Sequence, residues 1–480
     1  MSEFISNVLK LVSGSVIAQI LAIVLIPIIT RLYTPEDYGL FSLILAITGI
    51  IAIFSSLSYQ LAIMLPKEDR DAAHIVALCC GLILFSSVMA GFILFFFANP
   101  IANALNAPVL DQYLWFVPFL VFFTATFSVL TYWNSRKKRF GVSALAQVTN
   151  SFSSKGIQIG MGFAAPSPFG LISGNIIGYF CAIIVILKGF REDLNLFKGI
   201  TKLKIKELAI RYKNFPLFTS WSTTANTIST QIAPLLLVYF YSPLIVGYYA
   251  IAHQVVQMPM GLIGSAIGQV FFQKASEEKN RTGSISNVVH GIHRRLVSIG
   301  IFPMLLMLII GEDIFTIVLG KQWDIAGLYA KILVPWLLLV FIASPLSTVF
   351  SILERQHIDF SFNLAILSSR IGVLCVGGIF LDPVGTLILF SITGVIFWGW
   401  LNLYLLKISN ISMKEGLTDY IHYFIIGLVI ALPLIIFKLL WPQYLYLLLG
   451  TGIIVTFMYY GIIIQTDSVL KASMTKIFRR

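Results

Sequence analysis

Apolar stretches long enough to cross a lipid bilayer recur along the whole chain. Residues 9–33, 73–98, 112–133 and 295–319 each approach or exceed the roughly 20 residues that an α-helix needs to span the hydrocarbon core. The composition agrees, since 58% of the residues are hydrophobic and only 11% are charged, whereas a water-soluble domain carries about 25% charged residues. The sequence therefore predicts an all-α polytopic membrane protein.

Hydropathy and length predict about 14 transmembrane helices. Their approximate limits are 9–32, 38–64, 73–98, 112–133, 141–164, 168–188, 216–240, 243–272, 294–318, 326–352, 358–380, 384–406, 420–438 and 442–465. Several limits are open because prolines interrupt otherwise helical runs, namely Pro27, Pro234, Pro259 and Pro335. The four cysteines fall within these spans, so their spacing favours neither a disulfide framework nor a metal site.

The loops between the spans alternate in charge. Most of the 33 basic residues lie in loops that this topology places on one side, which the positive-inside rule makes cytoplasmic. An even number of spans then places both termini in the cytoplasm. The net charge of +12 follows from this topology, so no nucleic-acid partner is needed to explain it.

A turn motif occurs twice in the chain. Tyr33 begins Tyr-Thr-Pro after the first span and Gly39 follows; Tyr241 begins Tyr-Ser-Pro after the seventh span and Gly247 follows at the same spacing. The proline favours the first turn of the next helix. The recurrence six spans apart indicates a duplicated six-helix unit.

Six is an even number, so both copies share one orientation in the membrane, as in transporters built from parallel repeats. The predicted domains are a six-helix bundle at 1–190, a basic cytoplasmic linker at 191–215, a second six-helix bundle at 216–408, and two extra helices with a basic cytoplasmic tail at 409–480. We expect the amphipathic linker to lie along the membrane surface.

Two basic residues, Lys155 and Arg370, lie inside apolar segments, in the fifth and eleventh spans, and therefore at matching places in the two repeats. A cation near the middle of a membrane helix costs about 2.5–3.5 kcal/mol on insertion scales. Neither has an acidic residue near it in the sequence. The pair predicts a cavity that receives an anion.

Polar residues surround Lys155 on the fifth span. Four of them recur at spacings that place them on one helix face, and a fifth flanks that face. These residues are Gln147, Ser151, Ser154 and Gln158, with Asn150 beside them. Such a face should meet protein or water rather than lipid. Lining a substrate cavity and packing between helices both remain open.

Five more polar residues are candidates for substrate contact. Asn226 and Gln231 lie on the polar seventh span and His253 lies in the eighth. For His253, a bond to a neighbouring helix and a role in proton coupling both stay open. Arg31 and Lys331 lie at span ends, where a long cationic side chain can also reach the interface.

None of the 21 acidic residues falls clearly within a predicted span, and all of them map to loops or span ends. Proton relays and pockets for cationic drugs usually need carboxylates inside the membrane. A cavity of cations, hydroxyls and amides suits a phosphate and a sugar better, because Lys and Arg pair with phosphate oxygens.

The chain resembles the Wzx-type polysaccharide flippases, whose superfamily also contains multidrug exporters and the flippases of peptidoglycan precursors. The resemblance rests on residues 14–19, on 31–35 with Tyr38 and Gly39, on 241–243 with Gly247, and on 270–272 before Lys274. It extends over essentially the whole chain. Members of this family have a cationic cavity, which Lys155 and Arg370 would match.

The resemblance implies a multi-pass protein of the bacterial inner membrane. Such a protein moves undecaprenyl-pyrophosphate-linked oligosaccharide, for example an O-antigen unit for lipopolysaccharide, from the cytoplasmic to the periplasmic leaflet. It needs no cofactor, although coupling to Na⁺ or H⁺ stays open, and a polysaccharide polymerase or a chain-length regulator could be its partner. The alternative is a cation-coupled exporter of small molecules or drugs. We do not expect an enzyme, because the external loops are short and carry no catalytic constellation.

Overall fold

The computed structural model describes residues 2–190 and 193–466, and these residues form helices and short connections without a β-strand. The first residues of the predicted linker and the predicted basic tail lie outside the described residues. An all-helical fold is expected for an apolar chain, because a helix bonds its own backbone N–H and C=O groups where lipid offers no partners. The predicted fold class, an all-α polytopic membrane protein, is confirmed.

Fourteen helices in the described residues have 20 residues or more. They are α1 Ser2–Leu32, α2 Pro35–Ser56, α3 Asp69–Ala104, α4 Val117–Arg136, α5 Phe140–Ala164, α6 Pro168–Phe190, α7 Ser220–Phe240, α8 Pro243–Thr282, α9 Ser286–Val318, α10 Asp324–Leu346, α11 Gln356–Phe380, α12 Pro383–Ile408, α13 Met413–Leu440 and α14 Leu445–Thr466. The shorter helices are Tyr59–Ala62, Pro108–Leu110, Asp111–Leu114, Leu194–Phe197, Lys202–Arg211, Phe215–Thr219, Lys321–Trp323 and Val349–Ile352.

Eleven helices in the described part of the chain are long and apolar enough to cross a membrane. The other three long helices, α5, α7 and α8, are more polar, and α5 carries Lys155. The number of fourteen spans therefore stays a prediction. Helices α1, α7, α8 and α10 continue through the prolines that left their limits open.

The helices form two compact units. The first contains Met1–Ile251 and Phe362–Thr386, and the second contains Ala252–Ser361 and Leu387–Arg480. In the first, a buried core joins α3 and α4 around Trp133 and Cys79. In the second, α9 packs against α10, α13 and α14, and the rings of Phe302 and Tyr459 stack with their centroids 4.5 Å apart.

The linker helix Lys202–Arg211 belongs to the first unit. Its Leu208 is only 1% exposed within the core of that unit, and the Tyr59 hydroxyl donates to the carbonyl oxygen of Ala209 at 2.9 Å. This helix is amphipathic, as predicted, and its Leu208 packs against the protein core. Leu203 and Ile210 remain exposed on it.

The repeated turn begins a helix in both copies, as the sequence predicts: α2 begins at Pro35 and α8 begins at Pro243. In the first copy, Thr34 caps α2. Its hydroxyl accepts from the Asp37 amide at 3.2 Å, while the Asp37 carboxylate accepts from the Thr34 amide at 2.9 Å. This reciprocal pair satisfies backbone donors that the first turn of a helix leaves open.

The tyrosines of the two turns make equivalent contacts. The Tyr33 hydroxyl donates to the carbonyl oxygen of Gln158 in α5 at 2.6 Å, and Tyr33 is fully buried. The Tyr241 hydroxyl donates to the carbonyl oxygen of Leu381, between α11 and α12, at 3.0 Å. Each tyrosine thus ties its turn to the hairpin of the fifth and sixth helices of its own repeat. A duplicated six-helix unit would give such matching contacts, and the duplication itself stays a prediction.

The glycines of the two turns meet each other. A Cβ atom on Gly39 would overlap the carbonyl oxygen of Pro243, and a Cβ atom on Gly247 would overlap the carbonyl oxygen of Pro35. The first turns of α2 and α8 therefore cross backbone against backbone, and only glycine leaves room for that approach.

We expect Gly39→Ala to destabilise the protein by about 1–3 kcal/mol, because the added methyl group forces the two backbones apart. The measurement is thermal unfolding of the purified protein in detergent micelles. The matched control is Gly81→Ala, which meets nothing within 4 Å on α3 and should unfold at or slightly above the wild-type temperature. A Gly39→Ala protein as stable as the control would contradict the crossing.

Candidate functional site

A cavity of about 370 Å³ opens within the first unit, between α1, α5 and α6. Its lining combines hydroxyls, amides, one ammonium group and a few apolar side chains. The lining residues are Ser15, Ala18, Gln19, Ala22, Phe127, Gln147, Asn150, Ser151, Ser154, Lys155, Asn175 and Tyr179. No acidic side chain is among them.

Hydrogen bonds between α1 and α5 build one wall of this cavity. The Ser15 hydroxyl donates to the side-chain oxygen of Gln147 at 2.5 Å, and the Ser151 hydroxyl donates to the carbonyl oxygen of Ala18 at 2.8 Å. The polar α5 face therefore packs against a neighbouring helix and borders a cavity, while its contact with a substrate stays a prediction. Gln147 and Ser151 pack against α1 and also line the cavity.

Glycines of α6 build the opposite wall by letting α6 approach α5 closely. A Cβ atom on Gly174 would lie 2.8 Å from the carbonyl oxygen of Ser154, and one on Gly178 would lie 2.8 Å from the Ser154 Cβ atom. Small residues at helix contacts are the usual way for membrane helices to pack. Ser154 is therefore buried at this contact while it reaches the cavity edge.

Lys155 supplies the positive charge of the cavity. Its ammonium group donates to the side-chain oxygen of Gln158 at 3.0 Å, and among the residues that the structure describes it forms no ion pair with a carboxylate. Lys155 is half-buried and lies beside polar groups of α5, and its contact with an anion stays a prediction. The ammonium group keeps donors for a ligand, because lysine carries three N–H bonds.

Gln158 belongs to the polar face of α5 that the sequence made a candidate cavity lining, but it lies outside the cavity. Its side chain is 0% exposed and does not line the cavity. The side-chain amide donates to the carbonyl oxygen of Leu171 in α6 at 3.1 Å. Direct contact between Gln158 and a substrate thus has no support in this geometry.

Arg370, the second predicted cation, does not line this cavity. Its guanidinium donates to the carbonyl oxygen of Ser229 in α7 at 2.7 Å and to the Ser229 hydroxyl at 3.0 Å. The side chain is half-buried within the first unit. Arg370 therefore ties α11 to α7.

The other candidate residues are dispersed. Asn226 and Arg31 are exposed, and Gln231 is half-buried on α7 where α7 faces Gly49 of α2. In the second unit, the rings of His253 and Trp336 lie 6.0 Å apart. A substrate role for each of these residues stays a prediction.

Lys331 forms an ion pair in the second unit. Its ammonium group lies 2.7 Å from the carboxylate of Glu312 in α9, and next to it Lys438 lies 2.7 Å from Asp313. Both carboxylates lie within α9, more than one turn before its last residue, Val318. An ion pair accounts for Lys331 without a ligand.

The cavity residues that sequence reasoning missed include Phe127 of α4 and Asn175 and Tyr179 of α6. Asn175 is an amide in an otherwise apolar helix and next to Gly174, which is a signal that could have found it. Phe127 and Tyr179 carry no such signal, because aromatic residues are common in every membrane helix.

Comparisons with known proteins agree with this architecture. Residues 28–326 match a family model described as polysaccharide biosynthesis protein. No curated protein sequence matches the chain.

Several solved structures share the fold. The lipid II flippase MurJ, in an inward closed conformation, matches with a TM-score of 0.73 and 16% identity over 95% of this chain and 98% of MurJ. A multidrug resistance MATE family transporter of the MOP superfamily, in an inward-facing conformation, has a TM-score of 0.63 and 12% identity over 84% of this chain and 96% of its own. The MATE transporter VcmN of Vibrio cholerae has a TM-score of 0.56 and 13% identity over 85% of this chain and 97% of its own.

We expect Arg370→Met to lower the free energy of unfolding by about 1–3 kcal/mol, because two hydrogen bonds to α7 are lost. Ser229→Ala removes only the hydroxyl acceptor and should cost about 1 kcal/mol or less. Thermal unfolding in detergent measures both. Equal stability of Arg370→Met and the wild type would show that Arg370 does not hold α11 to α7.

Proposed function

Because the chain belongs to the family of polysaccharide biosynthesis proteins and shares the fold of MurJ and the MATE transporters, we propose that it is a flippase for lipid-linked oligosaccharides. It is a multi-pass membrane protein. Its substrate is proposed to be an undecaprenyl-pyrophosphate-linked oligosaccharide, such as an O-antigen unit for lipopolysaccharide.

One observation carries the proposal: a cavity inside a membrane protein is lined by an ammonium group, amides and hydroxyls, and by no acidic side chain. Lys155 would pair with an oxygen of the pyrophosphate, since a charge-assisted hydrogen bond is about twice as strong as a neutral one. Asn150, Asn175 and Gln19 offer amide groups to sugar hydroxyls. The polyprenyl chain would stay in the lipid.

Arg370 is the second cation of the proposal. Its bonds to Ser229 fix the guanidinium on α7, so we assign it a contribution to the positive field around the substrate rather than direct capture of a phosphate. A field of one sign concentrates an oppositely charged ligand even without contact.

Translocation would follow alternating access, in which the cavity around Lys155 opens to the two sides of the membrane in turn. The direction would be from the cytoplasmic to the periplasmic leaflet of a bacterial inner membrane, with both termini in the cytoplasm. No cofactor is proposed, and Na⁺ or H⁺ is the candidate coupling ion. A polysaccharide polymerase or a chain-length regulator is the candidate partner.

A second candidate function is cation-coupled export of small molecules. It is favoured by the likeness to the MATE fold, at a TM-score of 0.63. A pocket for organic cations would benefit from a carboxylate, and the cavity around Lys155 has none among its lining residues. The flippase is therefore the better fit to this cavity.

The test uses bacteria whose own copy of the gene is deleted. They should accumulate lipid-linked precursor in the inner membrane and lose surface polysaccharide, and wild-type protein should restore both. We expect Lys155→Met to reduce precursor turnover about tenfold or more, because a charged hydrogen bond of about 1.5–3 kcal/mol is lost. Lys155→Arg should keep part of the activity, since it keeps the charge.

The matched control is Lys188→Met, which removes the same charge from an exposed position in the last turn of α6 and should transport normally. Full transport by Lys155→Met would refute the proposed role of the cavity. Deletion cells that become sensitive to drugs without accumulating precursor would favour the exporter.

A further inference from the structure

Gln158 connects three groups that lie on different helices or turns. Its side-chain oxygen accepts from the Lys155 ammonium group at 3.0 Å, and its side-chain nitrogen donates to the carbonyl oxygen of Leu171 at 3.1 Å. Its own carbonyl oxygen accepts from the Tyr33 hydroxyl at 2.6 Å. Every polar group of this side chain therefore has a partner.

Close packing fixes the Gln158 side chain. It is 0% exposed, and a Cβ atom on Gly174 would come within 2.6 Å of the Gln158 Cγ atom. A side chain that is buried and bonded at both ends of its amide has one orientation. The amide oxygen therefore stays directed at Lys155, one helical turn away on α5.

The chemistry of this acceptor suits an anion site. A carboxylate in the same place would neutralise the Lys155 charge, whereas an amide oxygen is uncharged and accepts one N–H bond. The lysine stem has several rotatable bonds, so an unheld ammonium group would sample many positions. The hydrogen bond to Gln158 restricts the Lys155 ammonium group to one position without neutralising its charge, so the charge can still pair with an anion.

The second repeat holds its cation by other means, since Arg370 is bonded to the backbone of α7. Lys155, by contrast, is held by a side-chain amide of its own helix. We propose that Gln158 is a positioning residue, which orients the Lys155 ammonium group toward the cavity so that it can bind a diphosphate. This inference rests on the proposed function, because it acts through the Lys155 charge.

The experiment measures the affinity of the purified full-length protein for farnesyl pyrophosphate, a probe with a diphosphate and a short isoprenoid chain but no sugar. Four proteins are titrated by calorimetry in micelles at low salt, up to millimolar probe: wild type, Gln158→Met, Lys155→Met and the double variant. We expect Gln158→Met to weaken binding about tenfold. In the Lys155→Met background, the same change should weaken binding less than about twofold, since its target is gone.

Two controls separate positioning from packing. Thr149→Val removes an exposed hydroxyl of α5 that donates to the Leu145 carbonyl oxygen, and it should bind like the wild type. Tyr33→Phe removes the bond to the Gln158 backbone but leaves the Lys155 contact. It should lower the melting temperature and keep the affinity within about twofold of the wild type.

The outcomes distinguish the two proposals. If Lys155→Met weakens binding and Gln158→Met does not, or if Gln158→Met weakens it equally in both backgrounds, the positioning role is wrong and the proposed function stands. If Lys155→Met binds the probe like the wild type, the proposed role of the cation fails, and the inference about Gln158 falls with it.

Discussion

Lipid offers no hydrogen bonds, so a chain that crosses it must satisfy every polar group from within. For the backbone, helices do this, and the described residues are built from them. For side chains, the requirement decides where polar residues can lie. The polar face of α5 is possible only because α1 and α6 lie against it, with Ser15 and the Ala18 carbonyl oxygen on one side and the Leu171 carbonyl oxygen on the other. The cavity is the space that these contacts leave open.

The two turns that the sequence predicts to be repeats make matching contacts in the first unit. Tyr33 and Tyr241 each bond the turn that they begin to the helical hairpin formed by the fifth and sixth helices of the same repeat. The glycines of the two turns, Gly39 and Gly247, lie where α2 and α8 cross. The two cations then differ in an informative way. Lys155 is held by an uncharged amide on its own helix and faces a cavity, whereas Arg370 is held by backbone and hydroxyl oxygens of α7. The two positions that the predicted repeats match therefore have different hydrogen-bond partners.

Much of the fold was predictable from the sequence. The apolar segments predicted most of the long helices. The Tyr-Thr/Ser-Pro turns predicted where α2 and α8 begin, because proline is favoured in the first turn of a helix. The charge of Lys155 predicted a polar surrounding, since lipid would penalise it. Helix ends were less predictable. Helix α8 extends through Lys274 to Thr282, well beyond its apolar part. Hydropathy does not predict this end, because a helix can also continue where its side chains are charged.

The roles of single polar residues were not predictable in the same way. Gln147 and Gln158 belong to the same series of polar residues on one face of α5. In the structure, however, Gln158 is buried between helices, whereas Gln147 lines the cavity. Lys331 looked like Arg31, a cation at a span end, but α9 brings Glu312 beside it. By itself, the sequence determined that these residues leave the lipid, because that depends only on their polarity. Which partner each one meets was decided by the tertiary structure, because hydrogen bonds and ion pairs depend on distances between helices that are remote in the chain.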